Sequence, residues 1–385
     1  MVWTPWGRGF RPFFLAAAAY AALFVPLSTA LWLGAAMAPA WLVPPWWHGH
    51  EMLFGVVAAA IAGFLTTAAP VWAARPALQG RPLAALFALW LAGRAAMLAA
   101  DRLPPWVVAV VDVVFLPVLA MLLARTLWGR AQRRNHGIVA VVAALAVANA
   151  VVHAAALGVV DVSLARRALH VAVAGVIVLV VVIGGRITPA FTANALRGRG
   201  LVVDVIDGAW RRRAAIGGAA AFAALTLVAP DTAADRAVSV AAGVAVAARM
   251  RGWRTRRVLD DPLLWSLHAG MAWVAMGLLL RGLHPIGTAG LHALTAGAMG
   301  GMILAVMTRV GLGHTGRPLV LPPGAAWLYG GVHAAALARV LVGLFPAAGP
   351  PLLIAAAAGW ALAFGGFVVL YAPILLRPRI DGKPG

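Results

Sequence analysis

The sequence predicts an all-α fold, a polytopic integral membrane bundle of about twelve transmembrane helices, and three observations carry that prediction. Hydrophobic residues make up 63% of the 385 and charged residues only 11%, at a mean hydropathy of +0.92. Soluble domains carry roughly a quarter of their residues as charges, and a single aqueous core of this size could not bury so much apolar surface. The apolar residues also fall into runs long enough to cross a bilayer, which takes about 20 residues of helix. Finally, the basic residues lie between these runs, with a strong bias to one side of the membrane.

Taken in order, the runs lie near 12–37, 47–72, 82–101, 105–128, 136–158 and 163–185, then near 213–230, 234–250, 262–283, 287–311, 322–345 and 349–376. The first is longer than the apolar part of a signal peptide and has no clear cleavage site, so it reads as a span. The seventh and eighth are the shortest, because Pro230, Asp231 and Asp235 interrupt them. Nothing in the chain reads as a soluble domain, so residues 1–385 are expected to form a single membrane domain. In this layout the N-terminus, the even-numbered loops and the C-terminus hold 24 Arg or Lys, against 5 in the odd-numbered loops. The positive-inside rule then puts both termini in the cytoplasm.

Composition also excludes several functions. The formal charge of +20 does not signal nucleic-acid binding, because the arginines are scattered between apolar runs rather than gathered on one basic domain. There is no cysteine, which excludes disulfides, iron–sulfur clusters, thiolate-ligated haem and cysteine-ligated copper. Any metal must rest on His, Met, carboxylate or backbone oxygen.

Ionisable groups inside a bilayer are costly, which makes each a functional candidate. The second span opens on Trp46-Trp47-His48-Gly49-His50-Glu51-Met52, the fifth ends past Asn149 and His153, the sixth carries His170 and the tenth His292. With Arg94, Asp112 and Arg339 these fall in the outer halves of their spans, while His333 is near mid-span and His268 lies towards the cytoplasmic half. Histidines from several helices at one depth suit a metal ion or a haem iron, or are hydrogen-bonded contacts between helices. Arg94 and Arg339 suit haem propionates, and Asp112 alternatively suits a plain ion pair with Arg94. His48 and His50 project about 200° apart on a helix, so they are not expected to share one ion unless the helix starts between them. Gly297 and Gly301 allow close helix approach, and beside His292 they also leave room for a flat macrocycle.

Longer motifs carry a resemblance. Gly9-Phe10-Arg11-Pro12-Phe13-Phe14, Trp47-His48-Gly49-His50-Glu51-Met52-Leu53-Phe54-Gly55, Gly184-Gly185-Arg186-Ile187-Thr188-Pro189-Ala190-Phe191-Thr192, Leu267-His268-Ala269-Gly270 and His292-Ala293-Leu294-Thr295 through Met307-Thr308-Arg309 to Gly313-His314-Thr315-Gly316-Arg317 occur in this order along the chain. With them the sequence resembles the NnrS family of bacterial membrane proteins nearly end to end. The resemblance implies a multi-pass protein of the bacterial inner (cytoplasmic) membrane containing haem, of b type, and copper, and linked to nitric oxide and nitrosative stress. A weaker likeness, to the catalytic subunit of haem–copper oxidases and nitric oxide reductases, rests on His48-Gly49-His50-Glu51-Met52-Leu53-Phe54. The chain departs from that subunit in lacking a His-x-His on span ten and any histidine on span seven.

The expected site follows. His48 or His50 holds haem iron opposite His292 or His268, with Arg94 and Arg339 on the propionates. His153 and His170, with the remaining span-two histidine, hold copper or a second haem, and Glu51 supplies protons. Nitric oxide, the lipid bilayer and an electron donor that no motif identifies are the expected partners, with no nucleic acid. If the protein is an enzyme, it is a nitric-oxide-consuming oxidoreductase. A non-enzymatic haem, nitric oxide or copper sensor or carrier, or a transporter, is the alternative.

Overall fold

A computed structural model describes residues 4–34, 44–201, 203–284 and 287–383. Among the described residues there is no strand, and helices occupy all twelve expected positions. They are α1 (Phe10–Trp32), α2 (Pro45–Ala73), α3 (Arg81–Leu98), α4 (Pro105–Leu127), α5 (Ala131–Ala156), α6 (Val162–Gly198), α9 (Pro262–Leu283), α10 (Ala289–Gly313), α11 (Ala325–Leu344) and α12 (Pro346–Leu375), with α7 (Ala209–Val228) and α8 (Ala233–Met250) between α6 and α9. The ten given first are long and apolar enough to cross a membrane. The other two carry three charges each, Arg211, Arg212 and Arg213 on α7 and Asp235, Arg236 and Arg249 on α8. Between them the chain turns at Asp231 in left-handed backbone, and the Thr232 hydroxyl caps α8 by accepting from the Asp235 N–H at 3.2 Å.

One boundary moves. The sixth span was expected to stop at 185 and give way to a loop, yet α6 continues to Gly198. Pro189 has no N–H, so the Gly185 carbonyl four residues back loses its helical donor. The guanidinium of Arg249 replaces it, donating to Gly185 O at 2.5 Å and to Val181 O at 2.9 Å. A buried helix carbonyl is thereby satisfied, and the helix runs on through the proline. Gly185 is required for this, since a Cβ there would lie 2.1 Å from Arg249 Nη1.

Among the described residues three helices contain a π-helical stretch, at Glu51–Val57 in α2, Val180–Gly184 in α6 and Ala293–Gly300 in α10. Wide turns of this kind cost stability and concentrate where side chains are re-aimed. Two of the three begin one residue after a histidine, His50 and His292.

The chain packs as two compact units. The first comprises Met1–Ala172, Met307–Val320 and Phe364–Gly385; the second comprises Val173–Val306 and Leu321–Ala363. In the first, Phe10, Phe13, Phe14 and Phe24 of α1 are buried against α2 and its neighbours, and the motif residue Gly9 sits where a Cβ would lie 1.8 Å from Thr66 Oγ1. In the second, α9 runs through the centre, with Leu264, Leu267, Met271, Val274 and Leu278 buried.

Candidate metal centre

Within the first unit, α1 to α5 bring ionisable side chains together in a place water does not reach. His50 and Glu51 are 0% exposed, Asp112 and His153 2%, and Arg94 4%. Small residues make the approach possible. A Cβ at Gly93 would lie 2.8 Å from Asp112 Oδ1, and one at Gly55 would lie 3.0 Å from the Tyr20 ring and 3.2 Å from Arg94 Nη1. The Gly55 carbonyl, in the π-helical stretch, accepts from Trp90 Nε1 at 3.0 Å. Phe24, Trp47, Met97 and Val108, with Tyr20 and Met52, form an apolar wall beside the group.

Asp112 is the hub. One carboxylate oxygen takes Arg94, and the other accepts from Asn149 Nδ2 and His153 Nε2, each at 2.9 Å. Asn149 and His153 are four residues apart and so share one face of α5. Arg94 also pairs with Glu51 at 2.5 Å, and Glu51 accepts the Tyr20 hydroxyl. His50 bridges the two acids: Nδ1 lies 2.8 Å from Glu51 Oε1, and Nε2 lies 2.8 Å from Asn149 Oδ1 and 3.2 Å from Asp112 Oδ2.

Protonation follows from these partners. Asn149 uses its NH2 on Asp112, so its carbonyl faces His50. Both ring nitrogens of His50 therefore meet acceptors, which makes the ring an imidazolium donating twice. Two cations, Arg94 and His50, then balance two anions, Glu51 and Asp112, as burial in low dielectric demands.

The same side chains fit a metal ion. One ligand atom each from His50, Asp112 and His153 lie within 4.8 Å of one another. Two imidazoles and a carboxylate suit iron, copper or zinc and leave coordination positions open. A cation entering here would replace the His50 proton; a monovalent ion such as Cu(I) keeps the charge balance, and a divalent one adds a single positive charge.

The other expected ligands lie elsewhere. His48 is half-buried and bonds Ser28 Oγ at 2.9 Å; Ser28 donates its own proton to Val25 O, so His48 is protonated at Nδ1. His170 and His292 likewise donate from Nδ1 to the carbonyls of Arg166 and Thr288, at 2.8 and 2.9 Å. In all three Nδ1 is held by a carbonyl or hydroxyl, the kind of bond that orients a histidine ring.

His268, in the second unit, has both nitrogens engaged. Nε2 donates to Thr192 Oγ1 and Nδ1 accepts from Thr255 Oγ1, each at 2.9 Å. His333 accepts from Trp273 Nε1 at 3.1 Å, and Arg339 reaches Thr288 Oγ1 at 3.4 Å. The space over Gly297 and Gly301 is filled by Trp273 and His333, since added Cβ atoms would lie 2.3 and 2.6 Å from their rings. Helix packing, not a macrocycle, occupies those glycines.

Sequence reasoning placed Arg94 with haem propionates and offered Asp112 as its alternative partner, and the structure pairs the two. It passed over Tyr20 and noted Asn149 only as a marker of depth. A lone tyrosine in the alanine run of α1, and the four-residue spacing of Asn149 and His153, were the available signals.

The model of the NnrS protein family matches residues 4–379, and the chain belongs to that family. No curated protein matches it.

Proposed function

We propose that this membrane protein binds nitric oxide at a transition-metal ion held by His50, Asp112 and His153. The convergence of two imidazoles and a carboxylate in a buried, charge-balanced group supports the reading, together with the nitric-oxide-related role that NnrS membership suggests. Copper and iron are the metals this donor set favours for a diatomic ligand, and either would supply an open position to which nitric oxide bonds. Arg94 neutralises the acids and holds Asp112 in place, Asn149 orients His50, and the apolar wall keeps water out. Reducing nitric oxide requires protons and electrons. Glu51 and Tyr20 form the hydrogen-bonded pair that would hold a proton at the site, and the electrons would come from a donor outside the chain.

A haem is the second reading. The side chains favouring it are His48, His170 and His292, whose rings are oriented by bonds at Nδ1. Within this reading Arg94 is already matched by two carboxylates, which leaves Arg339 as the propionate partner from the expected pair. The bacterial inner membrane, with both termini cytoplasmic, is the location that the 24-to-5 split of basic residues supports.

The test is metal analysis and absorption spectroscopy of detergent-purified protein, oxidised, reduced and reduced with nitric oxide. The expected result is one equivalent of copper or iron, lost in His153→Ala, with a spectrum that nitric oxide changes. A Soret band that survives His153→Ala would assign nitric oxide to haem instead. Protein free of both metal and haem after replete expression would sink the proposal.

A further inference from the structure

The group around Asp112 is closed at one end by a layer of apolar side chains, and the spacing of that layer along the chain is regular. Each of the first five spans contributes to the group, and one helical turn away each also contributes to the layer. The pairs are Tyr20 and Phe24, His50 and Trp47, Arg94 and Met97, Asp112 and Val108, and His153 and Ala156. From the polar to the apolar residue the step runs forward, back, forward, back and forward along the sequence. Consecutive spans cross in opposite directions, so the two alternations cancel. All five apolar residues therefore fall on one side of the group, where α1 finishes and α2 starts. They form a single cluster, in which Phe24, Trp47, Met97 and Val108 are buried and Ala156 packs against them. The Phe24 and Trp47 rings meet edge to face, with centroids 4.8 Å apart.

One polar atom in this layer is unspent. Trp47 is 3% exposed, and its indole N–H has no acceptor among the described residues. The indole of Trp90, in the same unit, shows the ordinary case by donating to Gly55 O at 3.0 Å. An ion crossing an apolar layer must shed its water and finds nothing in return, whereas an uncharged diatomic has little hydration to lose. A lone N–H suits the weak acceptor oxygen of such a molecule and cannot compensate a full negative charge.

We propose that Phe24, Trp47, Met97, Val108 and Ala156 form a seal that admits uncharged small molecules to the group and refuses ions, and that Trp47 is its specificity-determining residue, donating its indole N–H to the entering ligand. The inference rests on the reading of His50, Asp112 and His153 as the place where nitric oxide binds. Nitric oxide passes the seal; nitrite, its oxidised anion, does not.

The experiment uses the full chain in detergent and exploits its lack of cysteine, which lets one introduced thiol be read alone. His153→Cys puts a thiol inside the group, and Val159→Cys puts one outside it, at a position 73% exposed. Metal-free protein is labelled with uncharged methyl methanethiosulfonate and with its anionic sulfonatoethyl analogue. Relative to the uncharged reagent, the anion should react about 100-fold more slowly at His153→Cys than at Val159→Cys, because it must be desolvated. Adding Met97→Ala or Val108→Ala to His153→Cys should recover about tenfold of that difference by opening the layer. Equal reagent ratios at the two thiols, or a ratio unchanged in both folded alanine variants, would overturn the seal. This labelling needs no metal, so protein that holds none would sink the reading of the metal centre and leave the seal to be decided here. In metal-loaded protein, Trp47→Phe keeps a ring and removes the N–H. Nitric oxide should then leave about fivefold faster, the loss of one hydrogen bond, at unchanged metal content. Unchanged release, or metal lost with the indole, would overturn the role of Trp47.

Discussion

His50 in the first unit and His268 in the second are both buried, at 0% and 2% exposure, and the sequence gives no reason to rank one above the other. Their surroundings differ in kind. His50 lies between two carboxylates and an amide, within reach of an arginine and a second histidine. His268 lies between two threonine hydroxyls that satisfy both nitrogens of a neutral ring. The first environment has carboxylates to offset the charge of a metal ion that displaces its proton; the second would leave a hydroxyl unpaired for each nitrogen it released. The buried arginines repeat the contrast. Arg94 is matched by two acids, whereas Arg249 serves two backbone carbonyls and the partly exposed Asp207, at 2.7 and 2.9 Å. A guanidinium matched by two buried acids marks the chemical site, and one shared between a partly exposed acid and backbone carbonyls marks a structural repair.

Breaking the charge balance in the first unit should have the largest effect. Arg94→Met leaves two buried carboxylates facing one imidazolium and should destabilise the protein by about 3–5 kcal/mol, read from chemical denaturation in detergent. Adding Glu51→Gln should recover much of that loss, because the count of charges is restored; no recovery would mean that Arg94 acts through packing alone. In the second unit, Gly185→Ala should drive Arg249 from its carbonyls and cost about 2–4 kcal/mol. Proteolysis of α6 beyond Pro189 should then accelerate, whereas resistance equal to the parent protein would show that α6 holds without the arginine.

A smaller effect sharpens the histidine comparison. His268→Gln should cost about 1–2 kcal/mol through lost hydroxyl bonds and leave metal content untouched, while His50→Gln should abolish metal binding. Loss of metal in His268→Gln would reverse the assignment of the two units. The smallest effect is on pH dependence. Burial pushes the Asp207 carboxyl up, but hydrogen bonds and charge from Arg249 outweigh it and hold it below the usual range. Its folded pKa is thus depressed, and its contribution is present above about pH 4 and lost as pH falls below that. The melting temperature should decline on acidification through this window, and Asp207→Asn should flatten the decline.

Hydropathy and charge distribution placed the helices, because a bilayer imposes a length and a polarity that any sequence reading can measure. The same rule misjudged the end of α6: a proline and two glycines read as a break until Arg249, sixty residues on, supplied the donor. Motifs of fixed order identified the family without recourse to geometry. Depth along each span was also legible, and it gathered His48, His50, Arg94, Asp112, His153, His170 and His292 into one list. What depth could not provide was rotation about each helix axis, and that decided which of them meet. Asp112, Asn149 and His153 converge on His50 because α4 and α5 turn those faces inward, past glycines at 55 and 93. His170 and His292 instead bond the backbone carbonyls four residues earlier, of Arg166 and Thr288. The sequence determined the fold, the family and a set of buried polar residues; helix rotation and the approach distances that glycine permits, which depend on all neighbours at once, selected from that set the group able to hold a metal.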